Sequence, residues 1–202
     1  MKHQRLLSLL LSLLLIGAAI GCAPGGAAAT EPAATNDTEA AGAASVTLTD
    51  MAGREIALER AATRVVALSA ADCEILYAIG AGALLVGRGE YCDYPAEVLD
   101  VPAVQSGLET NLEQILALEP QVLIMSVMAQ SEEQVAALEA AGVAVVVSDA
   151  QDIDGVYDAI GMLGALVGKT GEAAALIESM QKTFADAAAL YEGGEGKSVY
   201  FE

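Results

Sequence analysis

Four short apolar runs set the terms on which this chain can fold: RVVALS (64–69), ALLVG (83–87), QVLIMS (121–126) and VAVVVS (143–148). They lack the apolar-polar alternation of a strand with one wet face, so a strand built from each must be buried on both sides. The segments between them follow a different period. Asp72 to Gly80 places Ile75, Leu76 and Ile79 on one helical face, and NLEQILALEP (111–120) reads as a helix ended by Pro120. Ser131-Glu132-Glu133-Gln134 has the spacing of a capping box, and the helix it opens turns Val135 and Leu138 inward until Gly142 stops it. Buried strands alternating with amphipathic helices imply βαβ units around a parallel sheet, an α/β, Rossmann-like architecture.

The flanks add two features. SVTLTDMAGREIALE (45–59) alternates on both sides of a glycine-containing turn and predicts a β-hairpin. After the fourth run, Ile153, Val156, Ile160, Leu163 and Val167 mark one helix, and Leu176, Ile177, Met180, Phe184, Ala188 and Tyr191 mark a second. The second spans roughly 30 Å at 1.5 Å per residue. A glycine-rich break, GGEG, then leads into KSVYFE, which reads as the start of another strand.

The N-terminus speaks to compartment. Lys2 and Arg5 precede an apolar run, Leu6 to Ile16, that is too short for a comfortable membrane span. Ala19-Ile20-Gly21-Cys22 follows and resembles the lipobox of bacterial lipoproteins, in which Cys22 would carry the lipid. Residues 1–21 are therefore expected to be a lipoprotein signal peptide, and 22–44, low in complexity and without an apolar period, a tether. The folded part begins near Ser45 and runs to about 155 residues, enough for a real core. Of the nine basic residues, Lys2 and Arg5 leave with the signal, against 28 acidic ones, taking the net charge from −19 to −21. Such a surface repels nucleic acid and anionic headgroups.

His3, the only histidine, leaves with the signal too. The mature chain then has no histidine for acid-base catalysis, a Ser-His triad or a histidine metal site. LGALVGKT (163–170) has Leu163 where a phosphate loop needs its first glycine, and it closes a helix instead of following a strand. Glu90, Cys92 and Asp93 are neighbours in one loop, a poor arrangement for converging on a metal.

Taken in order, TDMAGREIALERAATRVVALS, EYCDYP, NLEQILALEPQVLIMS and LEAAGVAVVVSD resemble the iron-siderophore and cobalamin substrate-binding proteins of ABC importers. The resemblance implies two α/β lobes joined by a long helix, with the ligand between them. Residues 45–170 would be the first lobe, 171–192 the interlobe helix and 193–202 the start of a second lobe that is otherwise missing. It also implies a monomeric, non-enzymatic receptor without a cofactor. The receptor would be anchored by lipid on the outer face of the cytoplasmic membrane and would deliver a metal chelate (ferric siderophore, haem or corrinoid) to a permease and its ATPase. An α/β surface lipoprotein with a hydrolytic or purely structural role is the alternative. A tryptophan of cobalamin receptors is replaced here by Gly107.

Ligands of open parallel sheets bind beyond the carboxyl ends of the strands. GRGEYCDYP (87–95) lies at such an end. The resemblance implies that Tyr91 lies flat against the chelate; the alternative is a tyrosine capping the core. Tyr94-Pro95 is expected to shape the loop. Ser69, Ala70, Gln105 to Gly107, Met128 and Asp149 are further strand-end candidates. Arg88 would meet an anionic chelate or pair with Glu90. By the resemblance Glu74 faces permease arginines; otherwise it is a first-turn glutamate favoured by the helix dipole. Cys73 and Cys92 fall at the same edge of the sheet, where they would be either a disulfide or two free thiols.

Overall fold

The structure, a computed structural model, describes residues 45–106, 110–126 and 131–190. Its centre is a five-stranded, all-parallel sheet. The strands are β3 (Val65–Ala67), β4 (Leu85–Gly89), β5 (Ala103–Val104), β6 (Val122–Met125) and β7 (Ala144–Val147), in the spatial order β5-β4-β3-β6-β7. The hairpin is β1 (Val46–Thr49) and β2 (Glu55–Leu58), paired antiparallel outside that sheet.

The continuous apolar runs are explained by the two cores. Val65, Ala67, Val122, Ile124 and Val146 face one side. There they meet Cys73, Leu76 and Ile79 around α1 (Ala70–Ala78), Ile160, Leu163 and Leu166 of α4 (Ile153–Leu166), and Ala173 of α5 (Thr170–Ala189). Val66, Leu68, Leu123, Met125, Val145 and Val147 face the other side. They meet Ile115 of α2 (Leu112–Ala117) and Leu138 of α3 (Glu132–Ala140). Every residue of β3 and β6 is buried, as a sheet covered by helices on both faces requires.

Helix ends follow local chemistry. Ser69, Asn111 and Asp152 cap α1, α2 and α4 by accepting from the N–H groups of Asp72, Gln114 and Gly155. Ser131 and Gln134 form the reciprocal capping box at α3. Helix α5 packs only part of its length. Ala173 is buried and Leu176, Ile177 and Met180 half-buried, whereas Gln181 to Leu190 are exposed.

One free edge of the sheet is closed by side chains. The hairpin turn lays Asp50 and Arg54 along β7: Val147 N–H donates to the Asp50 carboxylate at 3.0 Å, and the Arg54 guanidinium donates to Val145 O at 2.8 Å. Met51 N–H donates to Val147 O at 3.1 Å. Groups that would otherwise offer a template for another strand are thereby satisfied.

The structure departs from the sequence reading in three places. Helix α1 starts at Ala70, two residues before the expected Asp72, because Ser69 supplies its cap. The second core strand runs over Leu85–Gly89 instead of 83–87, since Gly82–Leu84 form a 3-10 turn. Gly87 and Gly89 therefore lie inside the strand. A β-carbon on Gly89 would fall into the carbonyl of Leu68, so only glycine allows β3 and β4 to come this close. Strand β5 was not expected at all. Its two residues follow Pro102, whose carbonyl accepts from Arg88 N–H at 3.0 Å. The signal, the tether, Cys22, Gly107, Met128, Tyr191 and the segment 193–202 lie outside the described residues.

Candidate functional site

Three of the apolar runs end in serine, and the topology brings those serines together. Strands β3, β6 and β7 are adjacent and parallel, so Ser69, Ser126 and Ser148 stand side by side just beyond their carboxyl ends. They line a pocket of about 530 Å³ together with Asp72, Glu74, Tyr94 and Asp149. Its other wall is apolar: Ile75 and Ala78 of α1, Val156, Ala159 and Ile160 of α4, and Leu176 and Met180 of α5. A mostly apolar cavity with a few convergent polar groups is the ordinary form of a small-molecule site.

Asp72 is the unusual member. Its residue is 1% exposed, and Ser69 Oγ donates to its carboxylate at 2.7 Å. Ser148 hydrogen-bonds it as well, so one carboxyl joins the ends of β3 and β7, the strands that flank β6. Burial pushes its pKa up, and the two serine hydrogen bonds only partly offset that rise. Asp149 is held from two directions: Met51 Sδ accepts from its N–H at 3.2 Å, and Gln151 Nε2 donates to its carboxylate at 3.0 Å.

The loop after β4 has the opposite character. Tyr91 is 75% exposed and Tyr94 66%, whereas Cys92 between them is fully buried. Its foot is fixed by Arg88, whose guanidinium donates to the carbonyls of Val101, Gly89, Glu90 and Cys92 at 3.0 to 3.5 Å. Arg88 thus meets the Glu90 backbone, while the Glu90 carboxylate accepts from Ser106 N–H at 3.3 Å. The Tyr94-Pro95 bond is cis.

The structure therefore gathers Ser69, Glu74 and Asp149 in one cavity, and sets Arg88 near the end of β4 and Tyr91 on the loop that follows it. Glu74 is exposed and forms part of the pocket wall beside Tyr94. Cys73 and Cys92 are both buried, unbonded thiols, donating to the carbonyls of Ala67 and Leu68 at 3.7 and 3.8 Å. Sequence reasoning missed Asp72, Ser126 and Ser148 and gave Tyr94 only a loop-shaping role. The signal for the serines was present, as the recurrence of an apolar run closed by serine. Among the described residues no cluster of three or more His, Cys, Asp or Glu is arranged to hold a metal ion. No described helix is long and apolar enough to cross a membrane.

A family model described as periplasmic binding protein matches residues 65–201. YvrC of Bacillus subtilis, an uncharacterized ABC transporter substrate-binding lipoprotein, is 31% identical over 163 residues, 78% of this chain and 52% of its own length. A vitamin B12-binding protein of Salmonella choleraesuis is 31% identical over 142 residues, 70% of this chain and 53% of its own. The crystal structure of the heme binding protein HmuT superposes with a TM-score of 0.63 at 28% identity, covering 75% of this chain and 50% of that one. The chain spans about half the length of the relatives it matches.

Proposed function

The chain belongs to the periplasmic binding protein family, and from that premise we propose that it supplies one lobe of a non-enzymatic ABC-importer receptor for a metal chelate. The observation that carries the proposal is the pocket at the carboxyl ends of β3, β6 and β7, with its serine row, apolar wall and Tyr94 at its rim. Exposed tyrosines give a bulky, flat ligand contact area at small entropic cost. The serines and Asp149 offer hydrogen bonds to amide or hydroxamate groups at its rim.

Charge narrows the ligand class. Asp72, Glu74 and Asp149 line the pocket, and among the described lining residues there is no lysine or arginine. Arg88 is occupied by four carbonyls. A carboxylate brought within about 4 Å of Asp149 would be repelled by roughly 4 kcal/mol at an effective dielectric of 20. That exceeds what one hydrogen bond returns. The face of the ligand turned to this lobe is therefore neutral or cationic, as in an amide-bearing corrinoid or a ferric trihydroxamate. The propionates of haem and the anionic ferric catecholates fit poorly.

The receptor works outside the cytoplasm, held by lipid on Cys22, and passes its ligand as a monomer to a permease driven by an ATPase. The charged wall containing Glu74 belongs to the ligand side of this arrangement, and docking by Glu74 on permease arginines is a second task for the same exposed carboxylate. Labelled palmitate should enter the wild type and not Cys22→Ser; equal labelling of both removes the anchor. Ligand class is tested by titrating the chain with cobalamin, a ferric trihydroxamate, haemin and free zinc while following tyrosine emission, since the chain has six tyrosines and no tryptophan. Quenching by one of the first two at lower concentration than by haemin, with zinc inert, is expected. Preference for haemin or tight binding of zinc refutes the assignment.

A further inference from the structure

Two cysteines come together from different elements in the buried core of the lobe. Cys73 lies in α1 and Cys92 in the loop after β4, yet both are 0% exposed and belong to one core. Cys73 Sγ lies 3.7 Å from Ala67 O, and Cys92 Sγ lies 3.8 Å from the carbonyl of the next residue, Leu68. The carboxyl end of β3 therefore gathers both sulfurs, close enough for each to shift the other's acidity. For packing alone, alanine or valine would fill such positions without a polarizable, oxidisable atom.

We infer that Cys73 and Cys92 are partners in a disulfide that bolts the tyrosine-bearing loop to the first helix. The loop is the part of the site that most needs such a bolt. Tyr91 and Tyr94 project into solvent on either side of Cys92, and a ligand that stacks on them pulls on a segment otherwise held by Arg88 and by the Cys92 N–H to Gly89 O bond of 3.1 Å. A covalent link at the residue between the tyrosines fixes both rings without occupying either. Elsewhere in the pocket the lining comes from helices and strand ends already anchored in the core.

The two thiols have unequal acidity. The closeness of the two sulfurs raises the pKa of Cys73 and lowers that of Cys92, with Arg88 adding to the effect on Cys92. In the folded lobe this makes Cys92 the more acidic thiol of the two. The oxidant is an external disulfide. The thiolate of one cysteine attacks one of its sulfurs and expels a thiolate, and the other cysteine then attacks the mixed disulfide and expels the second. One S–S bond forms as another breaks. The two protons lost by the cysteines end on the two released thiols, and two electrons pass to the oxidant. Because both sulfurs are inaccessible in the folded lobe, exchange takes place while the loop is still open during folding.

The inference rests on the proposed extracytoplasmic placement only for its natural oxidant, and the experiment supplies its own. The full chain in a Cys22→Ser background is unfolded and refolded in a mixture of oxidised and reduced glutathione, then denatured without reductant, alkylated with iodoacetamide and mapped by mass spectrometry. The expected result is a Cys73–Cys92 cross-linked peptide with neither cysteine alkylated, both becoming alkylated after reduction. The oxidised chain should also have an unfolding constant about two orders of magnitude below that of the reduced chain, as expected for closing a loop of this length. Two alkylated cysteines at 73 and 92 without prior reduction, or equal stability of the oxidised and reduced chains, overturns the inference. Neither result bears on the family assignment or on lipidation of Cys22.

Discussion

Replacing Asp50 by alanine should cost about 3 kcal/mol, although Asp50 lies in a hairpin outside the main sheet. Its side chain is 0% exposed and accepts five hydrogen bonds. Ala52 N–H and Arg54 N–H meet one oxygen at 3.0 and 2.8 Å, while Arg54 Nε, Arg54 Nη2 and Val147 N–H meet the other at 3.0, 2.8 and 3.0 Å. Breaking a fully buried ion pair costs about 3–5 kcal/mol. Arg54 is 33% exposed and recovers part of this by hydration, which pulls the figure to the low end. Val147 N–H, buried beside it, recovers nothing. For a domain of this size the loss corresponds to a fall of roughly 6–12 °C in Tm.

The pH dependence of that effect is fixed in sign. Burial alone would raise the Asp50 pKa, but the N–H groups of Arg54 and Val147 and the Arg54 guanidinium together hold it below the usual carboxylate range. A depressed folded pKa contributes stability above the unfolded value, about 3.9, and loses it as pH falls through the folded value. Urea denaturation followed by circular dichroism should therefore show the full Asp50→Ala deficit at pH 7 and a shrinking one below about pH 4. Asp50→Ala and Arg54→Leu should be non-additive by more than about 1 kcal/mol. A deficit under about 0.5 kcal/mol at pH 7, or strict additivity, would refute the idea that this pair fastens the hairpin to β7.

Asp72→Asn should stabilise the lobe at pH 7 by on the order of 1 kcal/mol, because the wild type buries an acid whose folded pKa is raised. For an acid of this kind stability falls as pH rises from the unfolded value through the folded one, so the gain should vanish in acid denaturation curves; a loss at pH 7 counts against it. Gly89→Ala should lower Tm by several degrees and weaken chelate binding together, since the added carbon collides with Leu68 O and displaces the loop; wild-type melting would contradict this. Tyr94→Ala should weaken chelate binding about tenfold with little change in Tm, as its ring is 66% exposed; unchanged affinity would remove it from the site.

How much of this was legible in the sequence depends on range. The four core strands and their helices could be read because an apolar run or a 3.6-residue period is a local property, and Ser131-Glu132-Glu133-Gln134 announces its own helix. Strand β5 could not, because two residues carry no period and its pairing with Arg88 and Gly89 is supplied by the fold. The sequence places the second core strand two residues early, because glycines read as a strand end. Gly89 is kept inside the strand by the closeness of Leu68. At the site, Ser69 and Asp149 followed from the rule that ligands lie beyond strand ends. Asp72 reads as an ordinary first-turn acid, and its burial depends on Ser148, a neighbour only through the order β3-β6-β7. For Arg88 the sequence offers only a ligand or the Glu90 carboxylate as partner, whereas the carbonyls that surround it are set by the turn of the backbone.

The central claim is that this lobe receives a neutral or cationic chelate at the carboxyl ends of β3, β6 and β7. Backbone amide chemical shifts of the isotope-labelled chain, recorded while cobalamin or a ferric trihydroxamate is added to millimolar concentration, test it most directly because they detect weak binding residue by residue. The account predicts that the largest changes fall on Ser69 to Glu74, the loop Glu90 to Tyr94, Ser126 and Ser148 to Ala150. It predicts none around the opposite ends of the strands at Ala62, Gln121 and Val143. Shifts concentrated at those opposite ends, or no shifts with either probe, would contradict it.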